Sequence, residues 1–426
     1  MYGDEILLTD CRLKLIAALG LALLCLRPCG ADIVSDICAR HGGEQDSFER
    51  VLGMLRVLDN NPRVTMRSIG TTAQGRPIPL VVVHDPTTPL EGKVRVFVIA
   101  RQHGTESSGT AACLALARHF AQSEGQLERD LRRQMALVMV PVANPDGMCA
   151  SKRRNGGGSD LNRDWAAFAQ PETRAIAAAV KHYKPYALID MHELPASSSK
   201  AVYQESFIET IGKDSRLPQD LSVDCMTTSS HLARWMKQSG MRLNVYYDGV
   251  SDNTLLCHRY FGLRCGIPAY LFEAKCGAGR TLAQRMRFQV LGALVVANYA
   301  LHRYYVPREG PDEAAGTVLA EKPAVPEAAE ELRLRMVRPV GEEPARGQLP
   351  VEAEVTGLPE GGYLLFHVDG TLKALTNAAP HVYFLDTPKY SDGQHTVRVE
   401  ACSASGQTLA ASESVIMVDN TLAAGE

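Results

Sequence analysis

The sequence has no excess of basic residues, no closely paired cysteines and no serine-hydrolase motif. Its 45 lysines and arginines are offset by 48 acidic residues, giving a formal net charge of -3, which argues against a nucleic-acid-binding surface. No C-x-x-C pair occurs, so a structural zinc site built from thiolates is not expected. No G-x-S-x-G motif occurs either, since Ser107 and Ser108 lack the flanking glycines, and this disfavours a serine hydrolase.

The sequence also lacks an apolar run long enough to cross a bilayer. The longest run covers residues 15–26, and twelve residues fall short of the roughly 20 that a spanning helix needs. It follows Arg12 and Lys14 and precedes the small residues Gly30 and Ala31, which is typical of a secretory signal peptide over residues 1–31. We therefore expect a periplasmic or extracellular protein with no stable membrane span after leader removal; an uncleaved anchor is the alternative.

The cysteine count fits an oxidising compartment. Of eleven cysteines, three lie in the predicted leader, and the remaining eight are an even number. Cys257, Cys265 and Cys276 are close in sequence, so a local disulfide among them is one interpretation. Buried free thiols are the other.

The 426 residues are enough for two or three domains, and the first of these shows alternating strand and helix patterns. Hydrophobic spacing predicts helices over residues 47–58, 110–121 and 172–183, and strands over residues 76–83, 94–100, 135–142, 187–191 and 268–273. Such alternation favours an α/β sheet covered by helices on both faces. Ligand sites in these sheets lie at the strand ends.

The C-terminal part changes character. Residues 307–331 are rich in proline, alanine and glutamate, which indicates a stiff linker. Residues 332–420 contain short alternating runs separated by glycine-containing turns, which predicts a small β-sandwich ahead of a tail at 421–426. We thus divide the chain into a leader (1–31), an α/β domain (32–306), the linker and this β-sandwich.

Two histidines and a glutamate have the residue types and positions of metal ligands. His103 and Glu106 follow the predicted strand 94–100, whereas His41 and Glu44 have the same spacing without a preceding strand. His192 closes the apolar run 187–191, where Asp190 or a backbone carbonyl could orient its ring. Two imidazoles and a carboxylate can hold one Zn²⁺ ion with a position open, the arrangement of zinc hydrolases.

The same sheet edge offers groups for hydrolysis. Glu273 ends an apolar strand, where a carboxylate without a functional partner would be costly to bury, so we predict that it is the general base. The loop after Asn144 carries Arg153, three successive glycines and then Asn162 and Arg163. Guanidinium groups there could bind a carboxylate in two-pronged fashion and stabilise a developing oxyanion.

Together, several short motifs resemble the zinc metallocarboxypeptidase family in its bacterial branch, over roughly residues 47–305. They are GRPI (75–78), RQHGTESSG (101–109), NPDG (144–147), RRNGGGSDLNRDW (153–165), DMHE (190–193) and LFEAK (271–275). The resemblance implies a mixed, mostly parallel eight-stranded sheet between helices. It also implies one zinc ion held by His103, Glu106 and His192.

The resemblance further implies individual roles. Glu273 would be the general base and acid, Arg153 would polarise the scissile carbonyl, and Asn162 and Arg163 would grip the terminal carboxylate of the substrate. The family's substrate-contacting tyrosine is best matched here by Tyr247, with Tyr246 and Tyr260 as alternatives.

Three functions remain open at this point. The leading hypothesis is a zinc carboxypeptidase acting on peptides. The second is a zinc amidase or deacylase acting on cell-wall peptides or N-acyl amino acids, and the third is a non-catalytic adhesion protein. The C-terminal part resembles bacterial immunoglobulin-like modules, which would act as a spacer or bind a wall component.

Overall fold

The computed structural model describes residues 33–41, 47–196, 206–250, 252–277, 279–305, 331–339, 344–404 and 406–421. The predicted leader and nearly all of the predicted linker lie outside these residues. Within the described ranges, no helix has both the length and the apolarity needed to cross a membrane.

The described helices surround a central sheet. They are α1 (Ile33–His41), α2 (Phe48–Leu58), α3 (Ser108–Gln122), α4 (Gln126–Gln134), α5 (Pro145–Cys149), α6 (Pro171–Tyr183), α7 (Gln219–Gln238), α8 (Cys257–Arg259) and α9 (Leu282–Tyr304). A π-helical turn, Tyr260–Arg264, continues α8. Local sequence sets several of these starts: the Ser47 side chain caps α2, and Thr281 with Gln284 forms a capping box on α9.

The strands of the N-terminal domain are β1 (Val64–Thr71), β2 (Pro77–Val83), β3 (Val94–Ala100), β4 (Met135–Val140), β5 (Ala187–Leu194), β6 (Phe207–Ile211), β7 (Asn244–Asp248) and β8 (Ala269–Lys275). Their order in the sheet is β1-β2-β4-β3-β5-β8-β6-β7. The pairs β4/β3, β3/β5, β5/β8 and β6/β7 are parallel and the other three are antiparallel. The expected mixed eight-stranded sheet is confirmed.

Helices cover both faces of this sheet, so its central strands are apolar on both sides. One core lies between the sheet and helices α2, α3, α7 and α9, and a smaller core lies beneath α6 and the α8 region. Strands β4 and β5 are buried along their whole length. Continuous apolar runs such as residues 135–140 are what burial on both faces requires.

The C-terminal module, residues 333–418, contains β9 (Arg333–Arg338), β10 (Gln348–Thr356), β11 (Tyr363–Val368), β12 (Thr371–Thr376), β13 (His381–Asp386), β14 (Gly393–Cys402) and β15 (Thr408–Val418). Strands β13, β10 and β9 form a separate three-stranded sheet, and a core of its own fills the space between the two sheets. Strand β12 pairs antiparallel with β7, which extends the central sheet to twelve strands in the order β7-β12-β11-β14-β15. The module is thus docked directly on the N-terminal domain.

Cys257, Cys265 and Cys276 are free thiols. Cys257 is buried, Cys265 is exposed and Cys276 is half-buried, so the predicted local disulfide among them is wrong. The alternative, unpaired thiols, is what the structure shows.

Candidate metal centre

Three side chains from two strand ends meet at one point. His103 and Glu106 lie in the turn between β3 and α3, and His192 lies within β5, which is parallel to β3. His103 Nδ1 is 2.7 Å from Glu106 Oε1 and 3.1 Å from His192 Nδ1, and His192 Nδ1 is 2.9 Å from Glu106 Oε2. All three residues are buried. This group is named the ligand cluster below.

Each imidazole of the ligand cluster is held from behind by a carboxylate. His103 Nε2 lies 3.0 Å from Asp160 Oδ1, and His192 Nε2 lies 3.0 Å from Asp190 Oδ1. Such partners fix the ring orientation and keep a proton on the far nitrogen, so that both Nδ1 atoms can donate a lone pair. Asp190 has the orienting position predicted from the sequence, whereas the sequence analysis missed Asp160.

The electrostatics of the ligand cluster favour a bound cation. Burial alone would raise the pKa of Glu106, but the His192 and His103 imidazoles lower it to about 2. Burial disfavours the charged form of His192, yet Asp190 and Glu106 raise its pKa well above the usual value. Without a metal, a proton on His192 thus balances the buried carboxylates, and a divalent cation could replace it. Two imidazoles and a carboxylate are ligands that zinc accepts, so the donor set fits this ion.

Glu273 stands beside the ligand cluster on the next strand. It pairs with His192 in the parallel β5/β8 ladder. Its side chain is half-buried, and its buried Oε2 atom has no hydrogen-bond partner among the described residues. Burial raises the pKa of Glu273 to about 8. The nearby His192 opposes this increase, whereas Glu106, Glu209 and Asp190 add to it. A buried carboxylate that holds its proton so firmly is well suited to proton transfer near neutral pH.

Arg153 lies at the mouth of the site. Its Nε donates to Asp160 Oδ2 at 3.1 Å, and its Nη1 lies 3.7 Å from Glu106 Oε1. The side chain keeps 44% of its surface exposed, so part of the guanidinium is available to a substrate. Asp160 therefore positions both a ligand imidazole and this arginine.

Asn162 and Arg163 lie on the same short turn, but their side chains differ in setting. Asn162 is buried, with Nδ2 3.3 Å from His192 Nε2 and Oδ1 accepting the N–H of Cys257 at 2.8 Å. Arg163 is exposed and donates to the carbonyl of Asn162 at 2.8 Å. Both residues are close to the ligand cluster in the fold, and their grip on a substrate carboxylate remains a prediction.

Tyr247 faces away from this site. Its partner in the β6/β7 ladder is Thr210, which in turn pairs with Tyr270, and both tyrosines lie in the large core. Because strand residues alternate between faces, Tyr270 and therefore Tyr247 lie on the face opposite Glu273. The substrate contact of Tyr247 stays a prediction, and its place in the core does not favour it. Tyr246 is on the same face as Glu273 and packs against Phe207 with ring centroids 5.5 Å apart.

Gln102 is a supporting residue that the sequence analysis did not select. Its Nε2 donates to Asp190 Oδ1 at 2.6 Å, and its Oε1 accepts the Trp165 indole N–H at 2.8 Å. It is fully buried behind His192. Its position directly before His103 was the only local signal, because its contacts to Asp190 and His192 join segments about 90 residues apart in sequence.

Part of the chain matches a known family. Residues 53–204 match the family model described as zinc carboxypeptidase. This segment contains the ligand cluster, Arg153, Asn162 and Arg163, while Glu273 lies beyond it.

Individual relatives are similar over shorter stretches. A "Probable carboxypeptidase 2" of Arthroderma benhamiae is 29% identical over 127 residues, covering 29% of this chain and 24% of that protein. "Carboxypeptidase 2" of Trichophyton tonsurans is 32% identical over 108 residues, covering 25% of this chain and 20% of that protein. The chain therefore spans about a quarter or less of the length of these curated relatives.

Solved structures agree on the fold. The structure named "Putative carboxypeptidase A" from Shewanella denitrificans superposes with a TM-score of 0.51 at 19% sequence identity, covering 60% of this chain and 69% of that chain. Over residues 53–204 the chain is therefore similar to the zinc carboxypeptidase family, and the solved structure agrees with it in fold.

Proposed function

We propose that this protein is a secreted or periplasmic zinc metallocarboxypeptidase that hydrolyses the C-terminal amide bond of peptides. The observation that carries the proposal is that His192, far along the chain from His103 and Glu106, converges with them beside Glu273. The family match supports the same chemistry. Secretion rests on the apolar run at residues 15–26.

In this proposal, His103, Glu106 and His192 hold one Zn²⁺ ion. Bound there, zinc polarises a carbonyl oxygen and lowers the pKa of a water molecule. Asp160 and Asp190 keep the two rings aimed at the ion, since each contacts the far nitrogen of one imidazole. Gln102 holds Asp190 in turn.

Glu273 moves the proton. Its carboxylate takes a proton from the attacking water and passes it to the nitrogen of the leaving amine, so one residue is base and then acid. The burial of its Oε2 atom limits the access of bulk water to that proton. A cation held by His103, Glu106 and His192 would favour the ionised form of Glu273.

The arginines bind the substrate. Arg153, held by Asp160 and half exposed, donates to the scissile carbonyl as negative charge develops on its oxygen. Arg163, on the exposed side of the turn at Asn162, pairs with the terminal carboxylate of the peptide. This assignment requires a free C-terminus in the substrate.

Metal content and product identity test the proposal. Purified protein is incubated with a mixture of peptides, cell-wall peptides and N-acyl amino acids, with and without a chelator, and products are identified by mass spectrometry. We expect about one zinc ion per chain and release of C-terminal residues from peptides that stops on chelation and returns with zinc. Products derived mainly from wall peptides or N-acyl amino acids would favour the amidase alternative.

A histidine pair provides the matched control. His192→Ala should lose both zinc and activity, whereas His182→Ala, an exposed histidine of α6, should keep both. A protein with stoichiometric zinc that hydrolyses nothing in the mixture would instead support the binding protein.

A further inference from the structure

A cleft of about 630 Å³ lies between helix α6 and the π-helical turn Tyr260–Arg264. It is named the α6 cleft below. Arg174 and Lys184 both line it and are ten residues apart, so the cleft follows the helix for about 15 Å. Its volume is typical of a small-molecule site. No residue of the ligand cluster lines the described part of the cleft, so it is a separate site.

The two long walls of the α6 cleft are apolar. Ala177 and Ala178 line the side formed by α6, and Tyr260, Phe261 and Ile267 line the opposite side. The two alanines are too small to fill the space between these walls. Transfer of an apolar chain from water into this space is therefore favourable.

Phe168 lines one end of the α6 cleft in an uncommon backbone conformation. Its φ is +51°, a left-handed value that large side chains rarely adopt. Asp164 holds this turn: its carbonyl accepts the Phe168 N–H at 2.7 Å, and its Oδ1 accepts the Ala169 N–H at 2.9 Å. The Phe168 ring packs edge-on against Tyr260, with ring centroids 5.0 Å apart. Strain of this kind is commonly stored where a side chain is held for a ligand.

The other end of the α6 cleft is cationic. Lys181 and Lys184 are exposed there, and Lys184 directly precedes Pro185 of the lining. Neither lysine forms an ion pair with a described residue, and none of the described residues that line the cleft is acidic. Arg174, near Phe168, is instead engaged by the carbonyls of Phe168 and Ala169, at 2.9 and 2.7 Å. The free positive charge is thus concentrated at the lysine end.

We propose that the α6 cleft binds a long-chain carboxylate, that is, a fatty acid. Its chain lies between the alanines of α6 and the Tyr260 wall and ends against Phe168. Its carboxylate accepts hydrogen bonds from Lys181 and Lys184. The length, the apolar walls and the two unpaired ammonium groups at one end together match such an amphiphile.

Other occupants fit the α6 cleft less well. An acidic peptide would match the charge, but it would place polar backbone groups against apolar walls. In a two-fold symmetric dimer the same patch of both copies meets, so Lys181 and Lys184 would face the same cations of the second copy. A fatty acid has neither disadvantage.

Two side chains can report occupancy of the α6 cleft. Trp165 is fully buried and packs against two lining residues, with ring centroids 6.3 Å from Phe168 and 5.3 Å from Phe261. The only other tryptophan is Trp235, so Trp235→Phe makes the fluorescence specific to Trp165. Cys265 is an exposed thiol in the lining itself.

Fluorescence titration of the full-length Trp235→Phe protein measures affinity. We expect decanoate to bind about fifteenfold more tightly than octanoate, because each buried methylene contributes about fourfold. Decanoate should also bind at least about tenfold more tightly than decanol, which lacks the charge. Equal affinity for decanoate and decanol would overturn the proposal.

Substitutions in the same Trp235→Phe background locate the ligand. The double variant Lys181→Gln/Lys184→Gln should bind decanoate at least about tenfold more weakly and decanol unchanged. Arg56→Gln, at an exposed basic residue of α2, is the matched control. Ala178→Phe fills the cleft from an exposed position and should weaken both ligands, whereas Ala411→Phe, at an exposed alanine of β15, should weaken neither. Decanoate binding that is unaffected by both cleft variants would place the ligand elsewhere.

Alkylation of thiols tests occupancy without the fluorescence signal. Decanoate should slow the alkylation of Cys265 at least about fivefold at ten times its Kd. Cys149, exposed outside the cleft, is the internal control and should react at an unchanged rate. Unchanged labelling of Cys265 overturns the proposal. Protection that grows with protein concentration and needs no fatty acid assigns the cleft to a second copy and also overturns it. Neither measurement involves hydrolysis, so the outcome is independent of the proposed function.

Discussion

Glu273 and His192 are paired residues on neighbouring strands, so a single strand register sets the distance between base and ligand. A shift of one residue would turn either side chain to the other face of the sheet. At the residue scale, the site thus depends on register and on the carboxylates behind the imidazoles. Asp160 has the largest share of these contacts, because it holds both His103 and Arg153.

Replacing Glu273 by glutamine tests the proton-transfer role. The amide has nearly the same shape but cannot take a proton from water, so kcat should fall by at least about a hundredfold. Zinc content should remain near one ion per chain, because Glu273 is not in the ligand cluster. Steady-state kinetics and elemental analysis measure the two effects.

Glu354→Gln is the matched control, since this exposed glutamate on β10 only pairs with Arg335 at 2.8 Å. It should have unchanged kcat. Near-normal turnover by Glu273→Gln would show that another group transfers the proton.

At the scale of elements, close helix–strand packing keeps β8 in place. Gly292 of α9 lies against the Phe272 ring, and a Cβ at this position would collide with ring atoms. Phe272 directly precedes Glu273 on β8 and is fully buried. The glycine therefore lets α9 approach the strand that carries the general base.

Gly292→Ala should destabilise the protein by about 1–3 kcal/mol, because overpacking outweighs the better helix propensity of alanine. Gly53→Ala in α2 is the matched control, since nothing lies within 4 Å of a Cβ there. It should stabilise by roughly 0.5–1 kcal/mol. Urea unfolding midpoints report both changes. Equal effects at the two glycines would show that the α9–Phe272 contact does not limit packing.

Elements with strong hydrophobic periodicity could be predicted from the sequence. The strand predicted over 94–100 is β3, and the helix predicted over 172–183 is α6, which begins one residue earlier. The ligand residues followed from these strands, because polar side chains at the ends of parallel strands share one sheet edge. The short strands β6 and β7 were missed, since their five-residue patterns are set by tertiary neighbours.

The sequence could not predict which face of the sheet a strand residue occupies, or the order of the strands in the sheet. Tyr246 and Tyr247 are adjacent, and only the register with β6 decides which one faces Glu273. Likewise, nothing local in residues 371–376 indicates that β12 pairs with β7, about 130 residues earlier in the chain. Such pairing depends on contacts between distant segments rather than on local propensity.

At the scale of the whole molecule, Asn377 adds side-chain hydrogen bonds to the strand pairing that joins the C-terminal module to the N-terminal domain. Asn377 is buried, donates from Nδ2 to the Ala233 carbonyl at 2.9 Å and accepts the Leu243 N–H at 2.7 Å. Leu372 and Leu375 of β12 pack into the large core of the N-terminal domain. These contacts make unfolding of the two parts interdependent, so a charge change at their boundary should alter the stability of both.

His381, on β13 at this boundary, makes the stability of the joined structure depend on pH. Burial, with the nearby Lys237 and Arg242 of the N-terminal domain, lowers its pKa from 6.5 to about 4. Between these values the unfolded chain binds a proton that the folded protein excludes. The free energy of unfolding should therefore fall as pH drops from 6.5 to 4, by up to about 3 kcal/mol.

Urea unfolding of wild type and His381→Gln between pH 4 and pH 8 measures this contribution. The unfolding free energy of the wild type minus that of His381→Gln should be constant above pH 6.5. Below pH 6.5 this difference should decrease steadily, because histidine takes up a proton on unfolding and glutamine does not. His395 should have the opposite effect on stability. Its hydrogen bond to Asp369 raises its pKa, so its contribution to the free energy of unfolding is present at low pH and is lost as pH rises through the raised pKa. Parallel curves for wild type and His381→Gln would show that protonation of His381 is not coupled to the packing of the module against Lys237 and Arg242.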